Sequence, residues 1–387
     1  MKSVQTRLGG LALACAIGAA AVGCGGSASI EPRPAPALPG HYTVDPGFTP
    51  ISFGNFITGL DNKGNWIGIN DLSTNPADCG YTVNGAFTAF PQTGVPSDST
   101  AIPISAGGPY VWATYRTSLR GVKNQNFVEI LNRSTGSIVR VPNYTLPNFG
   151  CVSPDGNSTM AIILGPYLVP NQLAIIYADG EVSPIPMPST IANFEPWYRS
   201  NTGYTAGVAT TITYQTTAFP RSVRYRLLHG EKPSTTEVVN YPYGVISPVG
   251  DFVQLQGKYP NIMALAEDGS TCGWDALQGG VDIAARWDKN GHETLLQRYD
   301  ASDLQEIAYG ISKEGYCIGE AFPRDTFRPT VGLIWAPNGS VTAISAKLAP
   351  ANSSLTISGG IAMQSVDKIL AQEGTVNLDY VCLVGSR

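Results

Sequence analysis

The chain has 387 residues, 43% hydrophobic and 14% charged, a balance that excludes a disordered, highly charged polymer. Its formal charge of −5 gives no footprint for nucleic acid, and three scattered histidines (His41, His229, His292) exclude a histidine-rich metal centre. With 43 Gly and 29 Pro, the composition favours turns over long helices.

The N-terminus carries Lys2 and Arg7, then an uncharged stretch from Leu8 to Gly23. A basic start, a short apolar run and small residues before a cut predict a secretory signal over residues 1–23. At 16 residues and rich in Gly and Ala, the run is too short for a membrane span of about 20 apolar residues. Ala21-Val22-Gly23-Cys24 resembles the bacterial lipobox, with Ala21 in place of the usual Leu. That resemblance implies that Cys24 is the lipidated first residue of an exported protein held at the cell envelope. Cleavage removes Lys2 and Arg7 and leaves 22 basic and 29 acidic side chains, so the anchor rather than charge attaches the body to membrane.

Residues 24–45 contain Pro32, Pro34, Pro36 and Pro39 and read as an extended spacer, with the folded body expected over residues 46–387. Past residue 45, apolar runs of 4–6 residues alternate with Gly, Asn, Asp, Ser and Pro clusters, which predicts an all-β fold.

One segment recurs: an apolar residue, three turn formers, Gly, then a short strand. It starts at Leu60, Ile104, Val152, Arg199, Ile246, Leu265, Ile311 and, in worn form, Met363, at intervals of 44, 48, 47, 47, 19, 46 and 52 residues. The fifth position holds Gly64, Gly108, Gly156, Gly203, Gly250, Gly269 and Gly315, and Asp367 in the last copy. Such a turn needs φ > 0, which Gly adopts freely and Asp better than most residues. A second half-repeat carries a strand ending near an aromatic and another Gly turn, as in "LAIIYADGEVSPI" and "LIWAPNGSVTAI". There are seven second halves against eight first halves, so the 19-residue interval after Ile246 reads as an extra hairpin or a degenerate unit.

A unit of about 47 residues with four short antiparallel strands cannot cover both faces of its own sheet. Stacking such units around an axis does, and the body length predicts a single β-propeller of seven blades, with eight as the alternative. The stretch Tyr309 to Ile344 resembles the bacterial extracellular HAF-repeat family, which repeats "AIN-x-x-G-x-V-V-G" before "HAFLW-x-x-G". The His-Ala-Phe triplet itself is absent; Gly85-Ala86-Phe87 comes nearest. The resemblance implies an exported, propeller-like body and transfers no catalytic residue.

Motifs with chemistry reduce to turns. Asp155-Gly156, Asp179-Gly180 and Asp268-Gly269 lack the aspartate-box spacing of sialidases, and Ser365-Val366-Asp367-Lys368 occupies a repeat turn rather than a helix start. No cofactor, metal or catalytic residue is assigned. Cys79, Cys151, Cys272, Cys317 and Cys382 leave at least one thiol unpaired, with Cys272 and Cys317 on neighbouring repeats as the pair to watch. Trp287 and Trp335 read as core. Trp112 stands where other copies have Gly68, Gly207 and Gly319, and Trp197-Tyr198 lies where a loop enters a repeat, so these three are candidates for a binding rim. The reading is a lipid-anchored binding or scaffold propeller for a protein or glycan. The rival is an exported carbohydrate hydrolase or lyase, with Asp61, Glu195 and Asp251 as candidate acids.

Overall fold

In the computed structural model, the structure describes residues 36–46, 51–52, 57–60, 66–69, 79–83, 86–93, 95, 99–117, 127–144, 146, 151–163, 172–185, 188–216, 235–276, 281–323, 329–374 and 379–386. The expected signal, the lipobox and Asp61 lie outside them. Every regular element described is a β-strand apart from two short 3-10 turns, and the described strands fall into seven antiparallel units.

The first unit runs Ile57–Leu60, Trp66–Ile69, Cys79–Val83, Ala86–Ala89, and the second Ser99–Gly107, Tyr110–Thr117, Phe127–Asn132, Ile138–Pro142. The third has Ser158–Ile163, Gln172–Tyr177 and Val182–Ile185, preceded by a bridge from Val152 to Thr159. The fourth has Asn193–Arg199, Thr205–Thr216, Tyr243–Ile246 and Phe252–Gln254, with Thr235–Asn240 pairing the far end of its long second strand. The fifth (Pro260–Leu265, Thr271–Ala276, Asp282–Trp287, Glu293–Leu295) and sixth (Asp303–Ile311, Cys317–Pro323, Val331–Trp335, Val341–Ala343) are joined into one sheet by a parallel bridge, Asp282 to Gln305. The seventh has Ile357–Ser365, Lys368–Glu373 and Asp379–Ser386, and takes its outer strand, His41–Val44, from the other end of the chain.

That last pairing closes the ring and corrects the boundary at residue 45. Tyr42 is fully buried and its hydroxyl donates to Val366 O at 2.6 Å. Tyr316 donates to Pro36 O at 2.6 Å, and Leu38 packs on the same cluster. The apolar alternation His-Tyr-Thr-Val pairs with the Leu383–Ser386 end of Asp379–Ser386, whose other end pairs with the two-residue strand Ile51–Ser52. Residues 36–45 therefore belong to the folded body, not to a spacer.

The recurring turns close the first hairpin of each unit. Gly108, Gly156, Gly203, Gly269 and Gly315 all have φ between 46° and 95° there. Asp367 does not follow them into the left-handed region; the last unit uses a tighter turn in which Ser365 pairs with Lys368. The 19-residue interval is explained by Ile246. Its copy closes the third-to-fourth-strand hairpin of the fourth unit, whose Gly250 has φ 95°. It is thus a second-half turn that mimics the first-half pattern, and no eighth unit appears among the described strands.

Small residues four positions past the turn Gly also find their reason. The first strands of five units carry a one-residue register shift, skipping Thr58, Trp197, Met263, Tyr309 and Ile361. Such a bulge drives a carbonyl of the first strand against the second. A methyl on Gly207, Gly273 or Gly319 would sit 2.1, 1.8 and 1.8 Å from Glu195 O, Asn261 O and Ile307 O. Trp112 fits at the equivalent place because the second unit moves its bulge to Ile104 and pairs Trp112 with Ser105.

Neighbouring units are tied by repeated contacts. Trp287 and Trp335 are fully buried, and their indoles donate to Gln256 O at 2.6 Å and Gln297 O at 2.9 Å in the preceding units. The same glutamines donate their N–H to Gly291 O and Gly339 O at 2.9 and 3.0 Å. On the face carrying the tight turns, Gly108 donates to Pro154 O at 3.1 Å and Asp155 N to Asn201 Oδ1 at 2.8 Å. Asn201 in turn donates to Glu267 Oε1 at 2.7 Å, carrying the contact to the fifth unit.

Candidate functional site

The opposite face carries the longer connections, and one pair of them frames a cleft of about 330 Å³ between the fourth and fifth units. Its walls are Tyr241 and Tyr243, which lead into the third strand of the fourth unit, and the segment from Gln254 to Asn261, which leads into the first strand of the fifth. Tyr241 is 66% and Tyr259 59% exposed, a wet aromatic surface in contrast to the fully buried Trp112, Trp287 and Trp335. The Lys258 ammonium lies 5.3 Å from the centre of the Tyr259 ring, and the Tyr243 hydroxyl donates to Asn261 Oδ1 at 2.9 Å.

Trp197 stands behind this wall. It is the bulged residue of its strand, so it escapes the normal in-and-out alternation and meets the Tyr243 ring edge-to-face at 5.4 Å. Its indole Nε1 is buried and reaches no acceptor among the described residues. Burial raises the Tyr243 phenol, and the Glu195 carboxylate nearby adds to the shift.

Beneath the segment sits a pair of acids. Asp275, 1% exposed, accepts Lys258 N–H at 2.8 Å through Oδ2 and Tyr259 N–H at 2.6 Å through Oδ1. Glu293 lies against it: a methyl on Gly257 would sit 2.7 Å from Asp275 Oδ2 and 3.0 Å from Glu293 Oε1. Burial first, then the Asp275 carboxylate, pushes the Glu293 carboxyl up to about 7.

The three rim candidates part company. Trp112 is a correction: it is fully buried and its indole donates to Gly156 O at 3.0 Å, so it is core. Tyr198 is half-buried and packs on the cluster of Ala206, Val245 and Trp287, where burial pushes its phenol up to about 12, and it does not line the cleft. Trp197 alone touches the cleft wall. Sequence reasoning missed Tyr241, Tyr243, Lys258 and Tyr259, although "YPY" and "KYP" flank the anomalous Ile246 copy on either side.

Of the acids singled out, Glu195 lies on the first strand of the fourth unit, opposite Val208, and Asp251 in the outer hairpin turn of the same unit. The structure does not bring them together. Cys151, Cys272, Cys317 and Cys382 are buried free thiols. Cys272 and Cys317 do meet, thiol to thiol, inside one apolar cluster, and burial raises Cys272 well above the ordinary thiol range. Burial likewise pushes Cys151 up to about 12, the opposite of what a nucleophilic thiolate needs. Among the described residues no group of three or more His, Cys, Asp or Glu is arranged to hold a metal.

No protein-family model matches this chain, and no curated protein matches it in sequence. Among solved structures it resembles an acylaminoacyl peptidase of Pyrococcus horikoshii, with 12% identity over 71% of this chain and a TM-score of 0.43. The match spans 43% of that peptidase's length. The β-propeller domain of the Trilobed protease of Pyrococcus furiosus is 12% identical, covering 74% of this chain and 93% of its own, at a TM-score of 0.36. A putative TolB of Agrobacterium tumefaciens is 10% identical, covering 73% and 89%, at 0.37.

Proposed function

We propose that this chain is an exported, lipid-anchored propeller of the bacterial cell envelope that binds a glycan in the cleft between its fourth and fifth units. The observation that carries this reading is the cleft wall itself. Exposed Tyr241 and Tyr259 offer flat apolar faces beside Lys258, Asn261 and Gln254, which offer hydrogen-bonding groups. A sugar ring has the same division, with an apolar C–H face and an equatorial belt of hydroxyls. The lipobox-like Ala21-Val22-Gly23-Cys24 supports the anchor, and the stretch Tyr309 to Ile344 supports kinship with the HAF-repeat family.

A hydrolase draws no support from the acids that do meet. Asp275 spends both oxygens on backbone N–H groups, and Glu293 lies against it instead of across a substrate gap of about 5–10 Å. The test is a glycan array probed with the chain and with Tyr241→Ala and Tyr259→Ala. Glycan binding weakened by both substitutions, with unchanged thermal unfolding, supports the reading. Binding that ignores both, or capture of a protein partner through the same tyrosines, overturns it.

A further inference from the structure

The cleft wall is held in place by an unusual device. Gly257, at φ 124°, adopts a backbone conformation closed to most residues and lays the chain directly onto two carboxyl groups. Asp275 receives the next two N–H groups, so the side chains of Lys258 and Tyr259 are aimed outward by one carboxylate. Glu293 presses on that carboxylate, and its Oε1 is buried with no donor among the described residues.

Among the described residues no cation compensates the pair. On the neighbouring third strand Arg286 turns away to Gly315 O at 3.1 Å. His292, beside Glu293, pairs with Asp288 at 3.2 Å, and the Lys258 ammonium lies over Tyr259. Two adjacent carboxylates with no cation between them are stable only with a proton between them.

We propose that Asp275 and Glu293 share one proton and act as a clasp, so that the cleft wall from Gly257 to Tyr259 is ordered when the pair is protonated and loosened when it is not. This rests on the reading of the cleft as the binding site, and it supplies that site's regulation. With the proton present, Glu293 donates to Asp275, which keeps its charge and both backbone bonds. Loss of the proton to water leaves two repelling carboxylates, and relief requires Glu293 to swing outward or the segment above to lift. The raised titration of Glu293 places the change near neutral pH. A ligand that grips Tyr259 and Lys258 is therefore held in mildly acidic surroundings and released in alkaline ones.

The test needs no ligand. Amide resonances of Lys258 and Tyr259 are followed in perdeuterated full-length protein from pH 5 to 9. In the unsubstituted chain both shift together with a midpoint near 7. Glu293→Gln, which keeps the donor and cannot ionise, abolishes the shift while leaving the low-pH positions nearly unchanged. His292→Asn leaves the titration intact. Resonances that stay flat across the range, a titration that survives Glu293→Gln, or one that vanishes in His292→Asn overturns the clasp. A clasp that titrates as expected in a protein whose tyrosine variants bind glycans normally stands by itself, and the failure then lies with the proposed ligand site.

Discussion

The seam between the sixth and seventh units is filled by buried aliphatic side chains, whereas the seam between the fourth and fifth opens into a cleft. At the first, Ile318, Ile334, Ile357, Met363 and Ile369 are buried together, and Gly360 is pressed so close to Ile318 that a methyl there would sit 2.0 Å from its side chain. At the second, Leu255, Ile262 and Trp287 are buried as a floor, but Tyr241 and Tyr259 above them stay exposed. Both seams use the same repeat. What differs beside the cleft is the long second strand of the fourth unit, which pairs with Thr235–Asn240 at its far end and with the third strand at its near end. A propeller can thus open one seam into a cleft while another stays closely packed.

The largest effect is expected at the closed side. A chain beginning at residue 46 loses the strand that completes the seventh unit, together with fully buried Tyr42. Loss of one such aromatic costs about 3–5 kcal/mol, and the bare edge adds to it. Against a chain beginning at residue 36, urea unfolding should show a sharply lower midpoint or no cooperative transition.

Next comes Ile318→Ala, expected to cost about 3–5 kcal/mol because the packed seam cannot collapse around the hole. Leu255→Ala, under the cleft, should cost about 2 kcal/mol because the wall above is free to settle. Equal losses in denaturant titrations would remove the contrast between the two seams.

Glycine substitutions sharpen it further. Gly319→Ala forces a methyl against Ile307 O and should cost about 1–3 kcal/mol or more. Gly339→Ala meets nothing within 4 Å and carries only the left-handed penalty at φ 86°, about 1–2 kcal/mol.

On the open side, Tyr259→Ala should leave stability within about 0.5 kcal/mol and weaken glycan binding roughly 3- to 10-fold, measured by calorimetry. The smallest effect is a pH dependence of stability. Glu293 has its carboxyl raised in the folded state, so its contribution is complete below about 4.5 and is lost as pH rises through about 7. Glu293→Gln should flatten that part of the stability profile.

Much of the fold was legible because a propeller writes its symmetry into the chain. The turn glycines at 108, 156, 203, 269 and 315 must adopt positive φ wherever a first hairpin closes, and their spacing counts the units. The copy at Ile246 deceived because a tight hairpin turn demands the same residues whichever pair of strands it joins. Trp112 deceived for a related reason. The small-residue rule it breaks is imposed by a bulge on the partner strand, and that bulge sits elsewhere in the second unit.

By itself, then, the sequence determined the class, the repeat and the core role of Trp287 and Trp335, since these follow from local turn chemistry and apolar periodicity. The tertiary structure decided the rest. Only ring closure recruits His41–Val44 into the last sheet, because that strand's partner, Asp379–Ser386, lies at the opposite end of the chain. Only the meeting of two neighbouring units sets Tyr241 beside Tyr259, and only the pairing of the fifth unit's first two strands sets Asp275 beneath Lys258, because in each case the local sequence of one segment carries no trace of the other.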